Sequence, residues 1–195
     1  MALTLNIDVV ENQYADEAVF TETTGTYNVS TNTGGWGSPN ATLGTVTSAI
    51  LTIKDLDDNT LGTIDFSPFS SFPTNDETVE YTIVPADMGM TDKFTSGIYI
   101  FSYDVVATEG GLEQTFNKTC YVMFSQLLRC CVDKMYAAVD GFCTTCDKSK
   151  LHYAVEADFY LEAARDALGC GKVNMADAHL DKVEFMCNNA QCNCN

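Results

Sequence analysis

Apolar and polar residues alternate in short runs through the first 124 positions of the chain, and then the period changes. Thr4-Leu5-Asn6-Ile7-Asp8-Val9 alternates without a break, the pattern of a half-buried strand. Ala18 to Thr23 is a shorter run of the same kind. Val46 to Ile53 and Leu61 to Phe66 flank Lys54-Asp-Leu-Asp-Asp-Asn-Thr60, an acidic turn that reads as a hairpin tip. Val79 to Val84 follows and is stopped by Pro85. The strongest pair is Gly97 to Thr108 and Glu113 to Phe124, joined by the short loop Glu109-Gly-Gly111. Seven strands separated by turn signals predict an antiparallel β-sandwich.

From Gln126 onward the apolar positions fall at helical spacing. Leu127, Leu128, Cys131, Met135 and Ala138 mark one helix, with Gly141 in a position to end it. Leu151 to Leu168 marks a second, with Ala154, Ala157, Phe159, Leu161, Ala164 and Leu168 as its apolar face and Gly169 and Gly171 closing it. Asn174 is placed to cap a third, running from Met175 to about Cys187 with Ala178, Leu180, Val183 and Met186 inward. The last two helices form an αα-hairpin. The fold class is therefore α+β, a β-sandwich domain at 1–124 followed by a three-helix, cysteine-rich domain at 125–195.

One stretch fits neither period. Residues 24–43 are rich in glycine, threonine and asparagine, and they carry Tyr27 and the only tryptophan, Trp36. A loop of this length without its own structure is commonly functional, and a tryptophan among glycines suits a contact anchor. The alternative is a loop that folds back to plug its own sandwich.

Charge divides the chain along the same line. The net charge is -17. Residues 1–119 hold 17 acidic against 3 basic side chains, and residues 120–195 hold 10 against 7. So acidic a body repels phosphate backbones, which argues against nucleic-acid binding through it. No apolar run approaches the ~20 residues that span a bilayer, and the N-terminus has no basic segment followed by an apolar one. The expectation is a chain made in the cytosol, with its three Asn-x-Ser/Thr sequons incidental.

The chemistry-bearing residues are mostly thiols. Eight of nine cysteines follow Phe124. Cys143-x-x-Cys146 is a good half-site for zinc, since two thiolates on a turn chelate one tetrahedral ion, and Cys192 with Cys194, or Cys187 with Cys192, is the candidate second half. A reducing compartment favours free buried thiols or metal over a disulfide framework, and an odd count prevents complete pairing within one chain. Disulfide stapling of the helices is the remaining alternative. A redox Cys-x-x-Cys lacks its βαβ context. His152 and His179 read as helix-surface residues, and the carboxylate pairs lie in solvated turns. The sequence offers no catalytic constellation, so no cofactor is expected beyond a structural zinc.

Three stretches, Thr24 to Asn40, Ser96 to Tyr103 and Cys120 to Lys134, together with the Cys-Asn-Cys terminus, resemble structural proteins of tailed bacteriophages. The similarity is to tail and neck ring proteins of the crAss-like phages. It implies a non-enzymatic virion component, made in the host cytoplasm, that builds a symmetric ring (possible size a dodecamer) and contacts portal or other tail proteins. It would make Tyr27, Trp36, Leu127 and Leu128 interface candidates, with the helices as the docking element. An acidic body would also let a genome slide past without sticking. The alternative from another class is an Ig-like binding module of a head or tail fibre that recognises a host surface glycan through the 24–43 loop.

Overall fold

The structure is a computed structural model that describes residues 2–27, 46–66, 78–109, 112–142 and 145–192. It is a mixed fold of seven strands and three C-terminal helices: β1 (Ala2–Glu11), β2 (Ala18–Tyr27), β3 (Val46–Lys54), β4 (Thr60–Asp65), β5 (Thr78–Ile83), β6 (Gly97–Glu109), β7 (Leu112–Phe124), α1 (Gln126–Val139), α2 (Tyr153–Gly169) and α3 (Val173–Ala190). Two sheets are formed, one in the order β1-β2-β5 and one in the order β4-β3-β6-β7. The fold class expected from the sequence is thus the one observed.

By packing, the chain separates into two compact units. One comprises Met1–Val10, Ala18–Thr91 and Ile100–Cys120; the other comprises Glu11–Glu17, Asp92–Tyr99 and Tyr121–Asn195. The second unit therefore recruits the β1–β2 turn and the segment leading into β6, in addition to the helices.

The first unit is built on period-2 strands whose inward residues meet. β2 pairs antiparallel with β5, placing Phe20 opposite Tyr81 and Glu22 opposite Val79. β3 lies between β4 and β6, with Leu51 opposite Ile64 on one side and Tyr103 on the other. The side chains of Phe20, Leu51, Ile53, Ile83, Phe101, Tyr103 and Val105 are fully buried. Phe20 of one sheet meets Tyr103 of the other edge-on at 5.5 Å, and Phe66 packs on Phe20, Tyr81 and Tyr103 at 5.3–5.7 Å. Aromatic pairs in this geometry add to what area burial alone contributes.

Two turns fix the ends of β4. The acidic segment 54–60 is indeed a hairpin tip, where Asp55 accepts from the backbone and side-chain amides of Asn59, each at 2.8 Å, and Asp58 adopts a left-handed φ of 67°. Those two bonds hold the Asp55 carboxyl below the usual carboxylate range. Beyond it, Gly62 lies against the backbone carbonyl of Asp87 in the 3₁₀ turn Pro85–Met88, with no room for a β-carbon.

One inward position breaks the apolar pattern. Glu22 is fully buried in β2, and neither carboxylate oxygen has a hydrogen-bond partner among the described residues. Burial pushes its carboxyl up to about 7. The Tyr103 hydroxyl, near enough to feel that charge, is pushed above its ordinary range, first by its own burial and then by Glu22.

Candidate assembly surface

The helical unit is organised around α1. The strand β7 runs into it through Ser125, whose side chain makes no capping bond. Glu11, at the end of β1, supplies the cap instead. Its Oε2 accepts from the Ser125 and Gln126 amides at 2.8 and 3.0 Å. Burial raises the Glu11 carboxyl to about 7 against the opposing pull of those two bonds. Phe94 packs on Phe124 at 4.4 Å between ring centres, Tyr99 packs on Phe124 at 5.4 Å, and the Phe94 amide donates to the Ala15 carbonyl at 2.7 Å.

Covalent links then tie the helices together. Cys131 of α1 is disulfide-bonded to Cys187 of α3, and Cys146 is bonded to Cys192. Cys130 is disulfide-bonded as well. Arg129 of α1 reaches α2, donating to Asp158 at 2.6 Å and to Glu162, which also pairs with Arg165 at 2.9 Å.

Two of the four candidate zinc ligands, Cys146 and Cys192, are bonded to each other, and a disulfide sulfur is not a thiolate ligand. Among the described residues no cluster of three or more metal-binding side chains occurs. The pairing was hidden because the partners are 46 and 56 residues apart and meet only through helix packing. Cys143 and Cys194 lie outside the described residues, as does Trp36; Tyr27 is the last residue of β2, and its side chain also lies outside them.

The interface candidates on α1 divide. Leu128 is buried, only 6% exposed, and belongs to the core rather than to a contact surface. Leu127 is half-buried. Both line a hollow of about 240 Å³ with Phe94, Ser96, Cys131 and Cys187. The buried Ser96 hydroxyl there has no hydrogen-bond partner among the described residues.

The surface lies elsewhere, on the α2–α3 hairpin. The inward stripe of α2 is Ala154, Ala157, Leu161, Ala164 and Ala167, and that of α3 is Ala176, Leu180, Val183, Met186, Cys187 and Ala190. Small residues on α2 let the two helices approach closely. Phe159, which the helical spacing assigns to the inward face, instead points outward and is 66% exposed. Ala178 likewise lies outside. Val155 is exposed one turn before Phe159, and Met175 and Phe185 are exposed on α3.

Around Phe159 the hairpin forms an open groove of about 390 Å³. Its floor is Phe159, Ala163, Ala167 and Met175, its margins carry Glu162, Asp166 and Lys172, and Cys170 and His179 complete it. Cys170 is exposed and is not in a disulfide. His179 packs on Tyr160 at 5.4 Å with its Nδ1 buried and without a hydrogen-bond partner among the described residues, so it is not the simple surface histidine expected. Lys182 sits 4.4 Å above the other partner in that pair, the Tyr160 ring. His152 precedes α2 rather than lying inside it. The missed signal was the run Val155-x-x-x-Phe159, two apolar residues on one face offset from the alanine stripe.

Among the described residues, no helix is long and apolar enough to cross a membrane. No family model and no curated protein sequence matches the chain. Among solved structures, the β-glucuronidase of Parabacteroides merdae is similar over 60% of this chain and 13% of its own, at 9% identity and a TM-score of 0.34. The glycerol-bound form of the same enzyme is similar over 69% and 20%, at 7% identity and a TM-score of 0.35. The chain spans at most a fifth of those enzymes. Likeness at that level carries no argument about fold or activity.

Proposed function

We propose that this chain is a structural component of a bacteriophage virion, assembling as a symmetric homo-oligomeric ring in the tail or neck. The observation that carries the reading is the exposed apolar surface of the helical unit. Val155, Phe159, Met175 and Phe185 stand out from helices held in place by disulfides and by the Arg129 ion pairs. Two of them, Phe159 and Met175, share one groove, and exposed apolar side chains on a rigid framework suit lasting contacts between proteins. The sequence resemblance to phage tail and neck proteins supplies the class, and the separation of charge supplies the polarity, with the acidic body kept clear of its neighbours. Assembly would proceed through several modest contacts per subunit, each strengthened once its neighbours are engaged.

Light scattering of the purified chain over a range of concentrations tests this reading. One closed species of dodecamer size is the expected result. A monomer at every concentration, with and without purified neighbouring tail proteins, would overturn it.

A further inference from the structure

We infer that the groove of the α2–α3 hairpin is a two-fold contact surface whose occupant is the same groove of a second copy. From the proposed function this takes only the premise that copies of the chain associate. It adds where one contact lies and which symmetry it has.

Three observations point to a second copy. Charge restricts which parts of two such chains can approach. Residues 1–119 carry 17 acidic against 3 basic groups, so two bodies repel, whereas residues 120–195 carry 10 against 7. The groove itself has both signs on its margins. Asp166 stands at the end of α2 and Lys172 just before α3, and neither makes an ion pair among the described residues. Glu162, the second acid on the margin, is already engaged by Arg129 and Arg165, which leaves one acid and one base without such a pair. That arrangement beside an apolar floor is self-complementary under a two-fold axis: Asp166 of each copy meets Lys172 of the other, while the floors meet in the middle. Finally, the floor holds large side chains that the chain itself leaves uncovered, Phe159 at 66% and Met175 at 50% exposed.

Cys170 lies in the same groove and reports on it. Its thiol is exposed, whereas the other free thiol among the described residues, Cys120, is half-buried with its pKa pushed up to about 11 and so is unreactive near neutral pH. A two-fold contact brings the two Cys170 thiols into one shared groove, within reach of a short bis-maleimide.

The experiment uses the full chain under non-reducing conditions. Cross-linking with a short bis-maleimide should give a covalent dimer that is lost in Cys170→Ser. Phe159→Ser should raise the dissociation constant of the pair about tenfold or more, since a central aromatic anchor is removed. Asp166→Lys and Lys172→Glu should each weaken the pair, and the double variant should restore it. Circular dichroism and melting confirm folding in each case; all four residues are exposed, so their substitution leaves the core intact. Unchanged mass in Phe159→Ser together with no Cys170-dependent dimer would overturn the inference while leaving a ring intact. Dimers that depend on Phe159 but never close into a ring would sustain it and count against the ring. Failure of the charge-swapped double variant to recover would overturn the two-fold pairing.

Discussion

The Glu11 carboxylate sits 2.8 Å from the amide nitrogen of Ser125, more than a hundred residues away in sequence, and caps the helix that Ser125 itself leaves uncapped. The first free amides of a helix need acceptors, and here they are supplied from the end of a strand. Glu11→Ala should therefore destabilise the protein by about 1–3 kcal/mol, the cost of leaving partly buried donors unsatisfied. Glu11→Gln, which keeps a carbonyl acceptor, should lose less. Denaturant unfolding of the three proteins at one pH tests the ordering. Equal stability of Glu11→Ala and the parent would remove the capping role.

Glu22 gives the fold a pH dependence of definite sign. Burial pushes its carboxyl up to about 7 in the folded chain, whereas in the unfolded chain it returns toward the ordinary 4.5. Between those values the folded state holds a proton that the unfolded state has released. Stability is thus highest below about pH 4.5 and falls as the pH rises to 7, by at most about 1.4 kcal/mol per pH unit from this group. Glu22→Gln should flatten that slope. The measurement is unfolding free energy at pH 5 and pH 8 for parent and variant. An identical pH 5 to 8 difference in both would contradict the assignment.

Reduction should loosen the helical unit. In the chain-entropy account, the 56-residue loop closed by Cys131–Cys187 corresponds to about 4 kcal/mol of stabilisation. Cys131→Ser with Cys187→Ser, or treatment with a phosphine reductant, should lower the melting temperature. A melting curve that does not move on reduction, with thiol titration proving the bonds open, would count against these links as the main staples.

Gly62 should tolerate no side chain. A β-carbon there meets the Asp87 carbonyl, and the 3₁₀ turn that carries it is itself held by the Val84 amide donating to Asp87 at 2.9 Å. Gly62→Ala should cost about 1–3 kcal/mol through overpacking. Gly171→Ala is a contrast of another kind, since nothing crowds that site and any loss there comes from its left-handed φ of 72°. A fully stable Gly62→Ala protein would show that the approach is not rigid.

The strands were legible because alternation is a local signal: all seven lie where the period-2 runs place them. The same rule, followed strictly through Ala18, Phe20 and Glu22, already turns Glu22 inward, although a charge invites the opposite reading. The helices were legible in number and less so at their starts. Lys148–Lys150 forms a 3₁₀ turn held by Asp147, whose Oδ1 accepts from the Ser149 amide at 2.9 Å, so α2 begins at Tyr153 rather than Leu151. α3 begins at Val173, and Asn174 is inside it instead of capping it. Contacts distant in sequence were not legible at all. Neither the cap from Glu11 nor the joining of Cys131 to Cys187 leaves a trace in spacing, because both depend on how finished elements pack.

The cross-links Cys131–Cys187 and Cys146–Cys192 interleave, since 146 lies between 131 and 187 while 192 lies beyond them. A single break in the backbone anywhere from 131 to 192 consequently leaves every fragment still attached to the rest. A protease nick on this stretch would yield an altered band only after reduction, and the unit could keep its shape around a severed peptide bond. Such damage tolerance is a different asset from thermodynamic stability.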